Sequence, residues 1–138
     1  MKIVVDSNRI VASLVKDSTT RELLSNRAFE FVAPEFIREE VVKYKEEIIK
    51  KANISNEEFD VLLPLFFERI MLIPKDDYSE YLESLMNDIS DVKDIPYLAC
   101  CLSEKAQGIW SHDPHFLEQN KVKIFTNKDL LDILKDEI

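Results

Sequence analysis

Apolar runs and polar breaks divide the chain into short strands separated by amphipathic helices. Lys2-Ile3-Val4-Val5-Asp6 is a β-branched run closed by a carboxylate, the pattern of a buried central strand whose last residue faces the carboxyl edge of a sheet. Ile10, Val11 and Leu14 follow at helical spacing, and Asp6-Ser7-Asn8 is suited to cap that helix. Asp17-Ser18-Thr19-Thr20 stops it and caps another that carries Leu23 and Leu24 inward. Phe29 to Ala33 reads as a second strand. Pro34 then opens a helix predicted to run to about Lys51, because proline is favoured at an early helical position. Phe36, Ile37, Val41, Tyr44 and Ile48 form its apolar stripe, and Glu40 lies one helical turn from Phe36 and Ile37, beside the stripe rather than opposite it.

Ser55-Asn56-Glu57-Glu58 looks like the start of a helix carrying Phe59, Leu62, Leu63, Phe66 and Phe67, with Pro64 either kinking or breaking it. Ile70 to Ile73 is a third strand, and a helix from Asp76 carries Tyr78, Tyr81, Leu82, Leu85 and Met86. Asp91-Val92-Lys93-Asp94 precedes Ile95, Leu98, Ala99 and Leu102, a short buried helix with acids at its N-terminal end, where the helix dipole favours them. Gly108 to Ser111 supplies a strand that delivers Asp113, followed by a helical turn around Phe116 and Leu117, a strand over Val122 to Phe125 and a helix over Asn127 to Lys135. Strands alternating with helices predict an α/β fold with a mainly parallel sheet. With no repeat, low-complexity segment or flexible linker, residues 1–138 read as a single domain.

Composition narrows the function classes. A single glycine, Gly108, excludes glycine-rich phosphate loops, which need several glycines to bring backbone amides onto phosphate. Eighteen basic residues against twenty-seven acidic ones give a net charge of -9, so capture of a polyanion requires a local basic patch or bound cations. Apolar runs such as Val61 to Phe67 are too short to span a bilayer, and the expectation is a soluble cytoplasmic protein. Cys100 and Cys101 are adjacent on a buried helix, without Cys-x-x-Cys spacing, and read as core thiols in a reducing compartment.

Four carboxylates stand out: Asp6 at a strand end, Glu40 on a helix, Asp94 at a helix start and Asp113 beyond a later strand. In a parallel α/β sheet such positions can converge where the strand order reverses. Carboxylates held together repel one another unless a cation neutralises them, and an all-oxygen set suits Mg²⁺ or Mn²⁺. Two such ions about 4 Å apart can activate water and stabilise a leaving oxygen in phosphodiester hydrolysis. Each acid also has a plainer role. Asp6 suits a helix cap as well as a ligand, Glu40 a solvated helix flank, Asp91 or Asp94 a helix cap, and Asp113 before Pro114 a turn.

Taken together, Val4-Val5-Asp6-Ser7-Asn8, Pro34-Glu35-Phe36-Ile37-Arg38-Glu39-Glu40-Val41, Asp91-Val92-Lys93-Asp94-Ile95-Pro96-Tyr97-Leu98-Ala99 and Ile109-Trp110-Ser111-His112-Asp113-Pro114-His115-Phe116 resemble the PIN domain family, in particular its small prokaryotic toxin-like ribonucleases. The resemblance spans nearly the whole chain in order, with Lys51 to Ser90 adding little beyond compatible length. It implies a three-layer α/β/α sandwich around a central, mainly parallel sheet, and a metal-dependent nuclease site acting usually on RNA. Asp6, Glu40, Asp94 and Asp113 match the family's acidic quartet, Ser111 its small polar position and Asn8 the polar residue after the first acid. Glu39 competes with Glu40, and Asp91, one turn before Asp94, is a further candidate ligand. Small PIN proteins are often toxins held by an antitoxin protein and often form homodimers, while others process RNA without such a partner. The resemblance leaves both roles open.

His112 and His115 read as surface or satisfied histidines, and Trp110 and Phe116 as core. Lys43, Lys45, Lys50 and Lys51, with Arg38 nearby, alternate with Glu46 and Glu47 and read as a solvated helix face. Two other functions compete with the nuclease. One is a catalytically silent domain that binds RNA or protein. The other, an acid-pocket phosphotransfer domain, is disfavoured by Asp6-Ser7-Asn8, which lacks the paired acids such domains carry at strand one.

Overall fold

The computed structural model describes residues 1–136, so the last two residues of the expected 1–138 domain lie outside the described residues. Strands β1 (Lys2–Val5), β2 (Glu30–Pro34), β3 (Ile70–Ile73), β4 (Ile109–Trp110) and β5 (Ile124–Phe125) form one sheet in the order β3-β2-β1-β4-β5. Every pairing is parallel. The chain builds outward from β1 to β3, returns, and builds out the other way through β4 and β5, which puts the reversal of strand order between β1 and β4.

Helices cover both faces, giving the expected α/β/α layering. On one face α1 (Ser7–Leu14) packs with α2 (Ser18–Ser25), α3 (Ile37–Lys43), α4 (Lys45–Ala52) and α5 (Asn56–Phe67). On the other, α6 (Lys75–Tyr78) and α7 (Leu82–Leu85) pack on α8 (Ile95–Ser103), which lies against β1, β2 and β4. The last helix, α9 (Asn127–Asp136), contacts α2 and β5. Asp17 caps α2 through the Thr20 amide, and Ser55 and Glu58 form a reciprocal capping box on α5. Among the described residues, no helix is long and apolar enough to cross a membrane.

Several elements differ from the sequence pattern. Pro34 closes β2, in register with Ile73, instead of opening a helix, and α3 begins only at Ile37. The long helix expected over Pro34 to Lys51 is two helices. Tyr44 leaves helical geometry at φ -96°, ψ 10°, and its amide turns back to the Val41 carbonyl at 3.0 Å. The break swings Tyr44 out of the apolar stripe to 47% exposure, while Ile37, Val41 and Ile48 stay buried. Pro64, by contrast, lies inside α5 without ending it. The helix expected from Asp76 divides into α6, a 3₁₀ turn over Ser79–Tyr81 and α7. There the Ser79 and Ser84 hydroxyls donate to the Asp76 and Tyr81 carbonyls and compete with helical bonding. Val122 is buried but lies before β5.

The core centres on β1, β2, β4 and α8. Trp110 is fully buried and stacks on Phe31 with ring centroids 5.4 Å apart. Cys100 and Cys101 are free and buried, and burial pushes both thiols up to about 12, which makes them packing groups, not nucleophiles. Gly108 leads into β4 at a point where a Cβ would meet the Lys123 carbonyl oxygen and lie 2.5 Å from Phe125 Cε2. The glycine is needed for this close approach. Gly108→Ala should therefore destabilise the fold by about 2 kcal/mol or more, read as a lower urea midpoint with an unchanged slope.

Candidate active site

Parallel register sets the first contact. Val5 pairs with Trp110, so the next residues along, Asp6 and Ser111, emerge side by side at the carboxyl edge. The Asp6 amide donates to the Trp110 carbonyl at 3.0 Å, and Ser111 Oγ donates to Asp6 Oδ2 at 2.7 Å. Ser111 Oγ in turn accepts from the Asp113 amide at 3.0 Å and from Asn8 Nδ2 at 3.3 Å, which uses its full bonding capacity. One hydroxyl thus ties β1, α1, β4 and the Asp113 loop together. Asp6 occupies the N-cap position of α1, yet its side chain makes no capping bond and turns to the crevice instead.

Glu40 enters from α3. Ser7 Oγ lies 3.2 Å from Glu40 Oε2 and 3.5 Å from Asp6 Oδ1; its single proton serves one carboxylate at a time, and Glu40 is nearer. The other Glu40 oxygen accepts from the Tyr97 hydroxyl at 3.2 Å. Tyr97 is 1% exposed and packs edge-on against Phe36 and Phe116. Glu39 is exposed and lines a separate groove with Phe36 and Tyr78, so it is Glu40 that shares the crevice with Asp6.

Asp94 occupies the N-cap position of α8, again without a side-chain capping bond. It is only 8% exposed, and its Oδ2 is buried with no hydrogen-bond partner. Asp91 accepts from the Lys93 amide at 3.0 Å and lines the same crevice. Asp113 caps the 3₁₀ turn over Pro114–Glu118 by accepting from the His115 amide at 2.9 Å. One crevice of about 380 Å³ is lined by Asp6, Asn8, Glu40, Asp91, Asp94 and Asp113, with Tyr44 and Lys51 on its wall.

The electrostatics follow from that crowding. Burial, with a smaller contribution from Glu40, outweighs the Ser111 bond and pushes Asp6 from 3.8 up to about 6. Burial pushes Asp94 up to about 7, helped by repulsion from Asp6 and Asp113. Glu40 is raised as well, by burial that its two hydroxyl donors only partly offset. Lys43 and Lys93 offset the rise of Glu40 only in part, and no basic residue is among the main causes acting on Asp6 and Asp94. Ligand atoms of Asp94, Asp113 and His115 lie within 4.8 Å of one another. With the unbonded Asp94 Oδ2 beside them, the donor set fits a hard divalent cation.

Several contributors were not singled out from the sequence. Ser7 and Tyr97 orient Glu40, and Tyr97 had a detectable signal in its position one helical turn after Asp94. Arg9 is 8% exposed and reaches Asn8, Thr20 and Asn127, while Asn127 accepts from the Trp110 indole at 2.8 Å. This network braces the Asn8 end of the site. His112 is exposed and accepts from the Asn127 amide at 3.0 Å, in keeping with a satisfied histidine. Of the basic residues on α3 and α4, Lys45 pairs with Asp60, Lys51 with Glu47, and Arg38 lies over the Phe67 ring.

The raised carboxyl groups carry a stability signature. They bind protons more tightly folded than unfolded, so without metal their charge opposes folding above neutral pH, and the opposition fades as pH falls from about 7 to about 4. For Asp6 alone this amounts to about 3 kcal/mol, and coupling makes the Asp94 contribution overlap with it. Asp94→Asn in EDTA should accordingly be more stable than the parent chain by about 2 kcal/mol near pH 8, with the gap closing towards pH 4, as urea unfolding at several pH values would read.

A family model for the PIN domain, a nuclease-type fold, matches residues 4–130. A search of curated proteins finds no match. The match covers the second half of β1, the other four strands, the helices between them and every carboxylate that lines the crevice, and on that extent the chain belongs to the PIN domain family.

Proposed function

We propose that the chain is an endoribonuclease that hydrolyses RNA phosphodiester bonds with Mg²⁺ or Mn²⁺ held by Asp6, Glu40, Asp94 and Asp113, with Asp91 as a further ligand. The observation that carries this reading is the convergence of the four carboxylates on one crevice, one of them presenting a buried oxygen that nothing in the protein bonds. Divalent cations bound there would neutralise the carboxylates, lower the pKa of water and offset charge on the leaving oxygen.

The protein's own side chains prepare that chemistry. Ser111 fixes Asp6, and Asn8 fixes Ser111. Ser7 and Tyr97 hold the two oxygens of Glu40, so that its lone pairs point in fixed directions. Lys93 stands at the crevice wall, where it would meet an incoming phosphate backbone. In this proposal residues 1–138 work as a single domain in the cytoplasm, where RNA is available. The toxin role within a toxin–antitoxin pair adds an antitoxin protein that silences the site, and a homodimer. A neighbouring short reading frame for a DNA-binding protein would mark that role.

The test is cleavage of a mixed single-stranded RNA set with Mn²⁺, Mg²⁺ or EDTA. Cleavage should require metal and fall about a hundredfold or more in Asp6→Asn and in Asp94→Asn. Tyr97→Phe, which removes one donor to Glu40, should lose about tenfold with the fold intact. Unchanged metal-dependent cleavage by both folded aspartate variants would sink the assignment. Absence of both cleavage and Mn²⁺ binding would replace it with a silent RNA- or protein-binding domain.

A further inference from the structure

Among the described residues, His115 is the imidazole that the fold brings to the acids. Its ligand atom lies within 4.8 Å of those of Asp94 and Asp113, a spread that one ion can bridge. The residue is fixed from both sides. Pro114 precedes it, the Asp113 carboxylate accepts from its amide, and Phe116, which follows, is fully buried. The imidazole itself stays free of packing at 59% exposure, with Nδ1 3.3 Å from Asp113 Oδ1. The independent sign of a ligand at this point is Asp94, 8% exposed, whose buried Oδ2 has no partner.

Resting on the metal-centre reading above, we propose that His115 completes the Asp94–Asp113 part of the centre as an imidazole ligand and thereby tilts it towards Mn²⁺ over Mg²⁺. The chemical ground is ligand softness. Mg²⁺ favours oxygen donors and gives up water reluctantly, so an imidazole adds little to its binding. Mn²⁺ accepts nitrogen more readily, and the same side chain adds a bond. His112, the other histidine, is engaged through Nε2 with the Asn127 amide and is the natural control.

The experiment measures metal binding by the full chain without RNA. Calorimetric titration with Mn²⁺ and with Mg²⁺ is combined with pulsed electron paramagnetic resonance of the Mn²⁺-loaded protein, which detects a directly coordinated imidazole nitrogen. The parent chain and His112→Ala should show the nitrogen coupling, whereas His115→Ala and His115→Gln should lose it. Mn²⁺ affinity should fall about tenfold in both His115 variants while Mg²⁺ affinity changes less than about twofold. Mn²⁺ bound to the parent chain in an Asp94-dependent manner but without nitrogen coupling would overturn the role of His115 and leave the acidic centre standing. Equal losses for the two metals would also overturn it, because they indicate a structural effect. No Mn²⁺ binding by the parent chain would remove both this proposal and the metal-centre reading.

Discussion

The structure depends on keeping carboxylates together in a place that disfavours their charge. Asp6 and Asp94 are almost wholly withdrawn from water, and both are pushed above the usual carboxylate range by burial and by neighbouring carboxylates, Glu40 and Asp113 for Asp6 and Asp6 and Asp113 for Asp94. Neutral hydroxyls do what they can. Ser111 serves Asp6, and Ser7 and Tyr97 serve Glu40. A hydroxyl bond lowers the cost of an anion without removing its charge, so the crevice keeps an electrostatic debt that only a cation or protons discharge. The rest of the chain has to be stable enough to hold this arrangement, and the continuous buried core around β1, β2, β4 and α8 is where that stability resides.

Topology explains why the acids meet. The reversal of strand order between β1 and β4 places a crevice at the carboxyl edge of the sheet. Asp6 leaves β1 there, and Ser111 leaves β4 beside it. The N-terminus of α8 approaches from the face opposite α3, so Asp94 and Glu40 arrive from the two helical layers. The strands at this point are short, β4 having only Ile109 and Trp110. Their placement is secured by the Trp110 stack and by the space that Gly108 leaves for Phe125, which makes distant packing part of the geometry of the site.

What could be read from the sequence follows the range of the interactions involved. The β1 run, the helix start at Ser55 and the buried stripe of α8 are specified by neighbours a few residues apart, and all are found where local pattern put them. The break at Tyr44 was not legible, because every residue around it continues the helical period. Ile37, Val41 and Ile48 are buried on either side of the break, α3 lying against α1 and α4 against α1 and α5, so the turn answers to packing that sequence spacing does not show. Asp6, Asp94 and Asp113 were legible as acids at element ends and Glu40 as an acid beside an apolar stripe, whereas the exclusion of Glu39 from the crevice depends on the rotation of α3. His115 shows the limit most clearly. Its sequence neighbours suggested a surface residue, which it is, and only the loop that returns Asp113 towards α8 brings its ring close to Asp94.

The same charge distribution constrains how an RNA backbone reaches the crevice in the proposed reaction. The chain carries a net charge of -9, and the basic residues near the opening are partly committed: Lys51 to Glu47, Lys45 to Asp60 and Arg38 to the Phe67 ring. A polyanion approaching the ionised, metal-free acids meets repulsion that these cations are poorly placed to offset. Bound divalent ions reverse the local sign and offer phosphate oxygens a direct partner, so metal and RNA each raise the affinity for the other by the same factor, as linkage requires. The acidic surface then acts as a selective filter. In the proposed reaction nonspecific attraction along the acidic protein would be weak, and productive binding would concentrate at the crevice lined by the four carboxylates once cations were held there.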